Sequence, residues 1–194
     1  MILLAALALG LLAGWGLART QGRPYRAPDV RYLWLIPAAF APQLLVAYLP
    51  PTSLHLPGPV AAAILPISLV GFLVFVWLNR RLPGMPVLMV GLVLNLLVIA
   101  GNGGWMPMSP ETASQLPGGS PPEAAILGTR AGDKDILLRP EDTKLEFLSD
   151  RFLLPKWMGY RAAFSLGDII VAVGAFWLLA NPPNPANGRS ELIC

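Results

Sequence analysis

Leu94–Pro110, LNLLVIAGNGGWMPMSP, decides how this chain is read. Its first half completes an uninterrupted apolar run, and its second half turns into glycine, tryptophan, methionine and proline. Apolar runs of helical length precede it. A long polar segment follows, before one last apolar run. The stretch therefore marks where the chain leaves a bilayer and begins its one sizeable aqueous segment.

Composition agrees with that reading. Of 194 residues, 55% are apolar and 13% charged, with a mean hydropathy of +0.58. Helices of a soluble protein carry a polar face, and these runs carry none. The net charge of +3 and pI near 9.4 come from Lys and Arg placed in twos and threes at the ends of apolar runs. They form no stripe with interleaved aromatics, which excludes a nucleic-acid partner and makes them topology determinants. Cys194, the single cysteine, permits no intrachain disulfide and is not a prenylation box.

Working outward, five spans are expected, at about 2–18, 32–49, 60–78, 86–100 and 162–180. Ile2–Ala18 is about 26 Å long at the helical rise. Arg19, Arg23 and Arg26 follow it and no basic residue precedes it, the reverse of a cleaved signal peptide. Gly10 and Gly14 form a G-x-x-x-G face suited to close helix contact. Tyr32–Leu49 contains Pro37 and Pro42, each expected to bend it, and Gln43, expected to face other helices. PPTSLHLPG, without Lys or Arg, reads as an external turn. Val60–Leu78 ends at Asn79, Arg80 and Arg81, and Pro86–Ala100 carries Asn95 as an interhelical hydrogen-bonding group.

Alternation then puts every short arginine-bearing segment on one side, with the amino terminus outside and the carboxyl terminus inside. The expected fold is an all-α integral membrane protein, one domain over residues 1–194. Its extracytoplasmic loop, 101–160, carries short helices, and its tail, 181–194, is cytoplasmic and disordered or docked on another subunit. In the loop, Ser109-Pro110-Glu111 starts a short helix to about Leu116. PGGSPP breaks the chain, and Asp142–Pro155 places Leu145, Leu148 and Phe152 at helical spacing, an amphipathic element lying on the outer membrane surface or on the helices.

Candidate site residues are few. Asp168, in FSLGDIIVAVG, is the ionisable group inside a span, where charge in hydrocarbon usually marks function. It also stands three residues after Ser165, as in a capping box, so a cap and a ligand contact both fit. Asn102, Gly103 and Gly104 stop a helix, but two glycines before Trp105-Met106-Pro107 point to a tight loop pressed against something. Trp105 reads as an interfacial anchor or as part of that loop. Asp150 reads as a surface acid or, with Asn102 and Asp168, as part of an outer-face site.

Missing motifs narrow the chemistry. His55 is the only histidine and lies in an external turn, which disfavours bis-histidine haem and catalytic triads. No zinc cluster, phosphate loop or G-x-S-x-G is present. No inverted repeat marks a secondary transporter. No catalytic or metal residue and no cofactor is expected; quinone, lipid or pigment contact stays open, since apolar walls leave no motif.

The NGG-aromatic-MP segment (Asn102–Pro107), the D-x-x-x-L-P segment (Asp150–Pro155) and FS-x-GD (Phe164–Asp168) resemble a family of small bacterial multi-pass membrane proteins catalogued only as a domain of unknown function. Ser149 departs from the glycine expected before the aspartate. The resemblance implies a fourth helix ending in the glycine motif, a last helix starting at GD, and a bacterial cytoplasmic membrane location; it implies no reaction. The leading functional expectation is a non-enzymatic accessory or assembly subunit of a membrane complex. Its partners are the bilayer and other integral subunits, met through helix faces and the 101–160 loop. The alternative is a small membrane enzyme, transporter or ligand-binding protein with a site around Asn102, Asp150 and Asp168.

Overall fold

The computed structural model describes residues 2–48, 58–119, 121–131, 134–155 and 160–181. His55, Cys194, most of the external turn and most of the carboxyl-terminal tail lie outside these residues. The chain is mostly helical: α1 (Ile2–Thr20), α2 (Leu35–Tyr48), α3 (Gly58–Leu78), α4 (Met85–Gly101), the short α5 (Pro110–Ser114) and α6 (Leu166–Ala180). By length and composition α1 and α3 are long and apolar enough to cross a membrane, while α2, α4 and α6 are shorter apolar helices. Many large apolar side chains on their outer faces are exposed, among them Leu4, Leu12, Ile67 and Val90.

Helix boundaries follow local chemistry. Tyr32 adopts a left-handed φ of 57°, so α2 starts only at Leu35. Pro37 then falls in its first turn, where no helical bond is lost, leaving Pro42 as the one interior proline. The last helix begins four positions later than expected because Ala163–Phe164 is a strand and Ser165 is the N-cap. Ser109 caps α5 through Thr112 N, in keeping with the expected loop helix.

The loop is not purely helical. Strand β1 (Met106–Met108) pairs in parallel with β3 (Asp135–Leu137), and β2 (Arg130–Ala131) pairs antiparallel with β3. A second pair joins β4 (Phe152–Leu153) to β5 (Ala163–Phe164), with the Phe152 and Phe164 rings stacked 5.7 Å apart. The amphipathic helix expected over 142–155 is absent. Leu145 takes a left-handed φ of 56°, which stops helical propagation, and the segment forms a 3₁₀ turn at Glu146–Leu148 and then β4. Only Leu148 of the three spaced apolar residues is buried.

The long helices form an open arc in the order α1, α6, α4, α3, α2, each packed on its neighbours, while the two ends, α1 and α2, share no comparable packing. Asn79, at the end of α3, accepts from Arg31 N and donates to Arg31 O, and Tyr25 donates to Leu179 O near the end of α6. These bonds gather the arginine-bearing segments at one end of the bundle. Gly104 against Ala62 closes the other end, where the loop sits.

The G-x-x-x-G face of α1 is a contact within the chain. Gly10 and Gly14 are buried against α6, and a Cβ on Gly14 would lie 2.3 Å from Leu179 O. Gly16, on the same helix, has nothing within 4 Å. Gly14→Val should therefore overpack this contact and lower stability by about 1–3 kcal/mol. Gly16→Ala should leave the thermal unfolding temperature in detergent unchanged or slightly raised, since alanine favours the helix.

Candidate functional site

Two backbone bonds to β1 assemble the site at the loop end. Met106 N donates to Lys134 O at 2.9 Å, and Asp150 N donates to Pro107 O at 3.1 Å. One three-residue strand thus holds the backbones of two charged residues that lie 16 apart in sequence. β1 itself is anchored because Met106, Pro107 and Met108 are all buried. The Gly104 turn that launches it has φ +90°, and a Cβ there would fall 2.0 Å from Ala62 O of α3. Glycine meets both demands, a left-handed backbone and a side chain of no volume.

Lys134 donates to Asp150 Oδ2 in a very short contact and approaches Asp135 Oδ1 at 3.5 Å. Asp150 is wholly buried and Asp135 nearly so. Oδ1 of each carboxyl is buried without a hydrogen bond. Burial pushes the Asp135 carboxyl up to about 7, with Lys134 opposing that rise only in part. Burial also raises Asp150. Burial alone would lower Lys134, but Asp150, Asp135 and Asp168 outweigh it and hold its ammonium above the usual lysine range. Its side chain nonetheless keeps 44% of its surface accessible. Lys134 also stands on the lining of a cavity between the helices.

Asp168 completes the arrangement from the helix side. Ser165 Oγ accepts from Asp168 N, and Asp168 Oδ2 accepts from Ser165 N at 3.3 Å, so the capping box forms. Asp168 Oδ1 also accepts from Asn95 Nδ2 at 2.8 Å, and Ser165 Oγ donates to Asn95 Oδ1 at 3.0 Å. Asn95 therefore joins α4 to α6, the interhelical role expected of it. Asp168 is a cap that also faces the interior.

Of the expected trio, Asp150 pairs with Lys134, and Asp168 stands with Lys134 on the lining of one cavity, whereas Asn102 does separate work. Its Nδ2 donates to Val98 O and Lys144 O, and its Oδ1 accepts from Lys144 N at 3.0 Å, pinning the loop to the end of α4. Gly103, at φ +75°, makes the turn, and a Cβ there would point into open space. Trp105 lies under the Arg130 guanidinium, 4.3 Å from ring centroid to Cζ, a cation–π contact that ties β2 to the residue preceding β1 across the intervening β3. Sequence reasoning missed Lys134 and Asp135. Their signal was the D-K-D charge cluster ahead of an apolar Ile-Leu-Leu, which a solvated loop explains equally well.

Behind this polar group lies a cavity of about 560 Å³ between the helices. Leu7, Phe40, Phe72, Leu92 and Val171 are among its apolar walls, and Asn95, Asp168 and Lys134 stand on its lining. Gln43 of α2, expected to face other helices, also borders it. Residues 28–180 match a single family description over most of the chain. The chain belongs to a family of unknown function, DUF5317. The DUF5317 match begins beyond α1 and takes in α2 to α6, the loop sheet and every polar residue of the cavity. No curated protein and no solved structure matches the chain.

The raised Asp135 pKa fixes a pH dependence. A carboxyl that holds its proton more tightly when folded stabilises the fold while protonated. Its contribution is full below the ordinary 3.8 and is lost as pH rises through about 7. Asp150 acts in the same direction. Asp135→Asn should therefore flatten, without abolishing, the fall in thermal stability between about pH 4 and pH 7. Lys134→Met should strand the Asp150 charge and lower stability at pH 8 by about 3 kcal/mol, the low end of a broken buried pair because Lys134 is partly accessible. Urea or thermal melts of both variants across that range check these outcomes.

Proposed function

We propose that this protein is a multi-pass membrane protein that binds an apolar or amphiphilic small molecule between its helices. The observation that carries the reading is the 560 Å³ cavity, apolar along its length and polar at the loop end. That volume falls in the usual range for small-molecule sites, and convergent polar groups at one end are what orients a ligand in such a site. In this reading α1, α2, α3, α4 and α6 are the five spans. The amino terminus is outside, the loop is extracytoplasmic, and the arginine-bearing end faces the cytoplasm of a bacterium. Support comes from Arg19, Arg23, Arg26, Arg80 and Arg81, which hydrogen bonds through Arg31, Asn79 and Tyr25 gather at the same end.

A second reading, a docking subunit of a larger membrane complex, is favoured by the loop's outer surface. Ile126 is 71% exposed and Phe147 56% exposed on a segment otherwise held by sheet and turn hydrogen bonds. Ordered apolar side chains presented to water mark a contact surface. The two readings are compatible, since a ligand-holding subunit can also dock.

Native mass spectrometry of the full chain released from lipid nanodiscs tests the first reading. Expected is a bound species of a few hundred daltons that Leu92→Trp, filling the cavity, reduces at least tenfold while the protein stays folded. Recovery without any small molecule, but with stoichiometric protein partners lost on Phe147→Asp, would favour the docking subunit instead.

A further inference from the structure

The cavity's polar end selects among membrane-borne molecules by charge. We infer, resting on the ligand-binding reading above, that the ligand carries an uncharged oxygen head on an apolar tail, and that it enters sideways from the lipid between α1 and α2.

The head follows from the arithmetic of donors and charges. A lysine ammonium has three N–H donors. Asp150 Oδ2 takes one, and Asp135 Oδ1, at 3.5 Å, faces a second. One donor is left on a residue that lines the cavity. An anionic head reaching it would enter beside Asp150, Asp135 and Asp168, acids whose charge already acts on the Lys134 ammonium. A cationic head would have to sit beside the Lys134 ammonium itself. A carbonyl or hydroxyl oxygen meets neither penalty, because it accepts from Lys134 and brings no charge into the interior. Each Asp168 oxygen already accepts one bond, from Asn95 or from Ser165, so this acid is engaged in holding α4 to α6.

The route follows from the helix order. The arc runs α1, α6, α4, α3, α2, and among the described residues its two ends share no packing comparable to that of neighbouring helices. Leu3 and Leu7 of α1 and Ile36 and Phe40 of α2 line the cavity on either side of that gap. At the loop end stand the buried β1 and the Lys134–Asp150 pair. A molecule dissolved in the hydrocarbon therefore reaches the cavity without passing through water.

The test uses the full chain in nanodiscs and a diazirine-bearing hexadecanol as the photoreactive probe, with labelled residues mapped by mass spectrometry. Labelling should fall on cavity residues of α1, α2 and α4. Decylubiquinone and unlabelled hexadecanol should each compete at least tenfold better than palmitate or dodecyltrimethylammonium, and their relative strength separates a quinone-type carbonyl from an alcohol. Lys134→Met should lower labelling at least tenfold. Because that change can unfold the loop, the double variant Lys134→Met with Asp150→Asn, which leaves no stranded charge, should show the same loss. Leu7→Trp, which narrows the gap, should slow labelling without reducing its final extent. Equal or better competition by palmitate or the cation would overturn the head assignment while leaving the ligand-binding reading intact. Absence of cavity labelling by the probe, together with no protection by any of the four competitors, would overturn both.

Discussion

Asp150 can occupy its place in this fold only in company with Lys134. A carboxyl with no exposed surface carries a desolvation penalty of several kcal/mol unless a counter-charge and hydrogen bonds meet it. The lysine comes from a different part of the loop, so the pair obliges the chain to bring both segments to β1. Met106 N and Pro107 O then fix the two backbones, and β3 follows Lys134 into register with β1. The loop sheet, the Gly104 turn on α3 and the Asn102 clamp are the surroundings that make such an arrangement affordable.

The same economy governs the helices beneath. Gly167 sits so close to α4 that a Cβ would lie 1.9 Å from Asn95 Oδ1. That approach lets Asn95 reach both Ser165 and Asp168. Two helices joined by side-chain amide and carboxylate at one level, and by small residues along the rest, are held in a single register. The cap of α6, the crossing of α4 and α6 and the polar boundary of the cavity are consequently one structure, and Asp168 belongs to all three.

How much of this was written in the residues differs by element. The apolar runs placed the long helices to within a few positions, because a run that buries no charge and contains few breakers admits little else. Ser109-Pro110-Glu111 and Ser165 with Asp168 announced their caps, since capping is local chemistry. The loop's strands were illegible: two or three residues such as Arg130–Ala131 are too few for any periodicity to show. Leu145 was misread as part of a helix because nothing in its identity signals a left-handed backbone. Lys134 and Asp135 were hidden for a different reason. An ion pair between separate segments depends on the sheet that brings them together, and a D-K-D cluster beside glycine looks solvated until that sheet is known.

The pairing of the first long helix with the last has a consequence for biogenesis. Tyr25 and Leu179 are 154 residues apart, yet they hydrogen-bond where α1 meets the end of α6. During synthesis α1 is made well before α6, which carries its complementary surface. Its glycine-lined groove stays uncovered until α6 is made. Closure of the bundle thus depends on a contact that forms only once α6 has been made, however early α1 has folded.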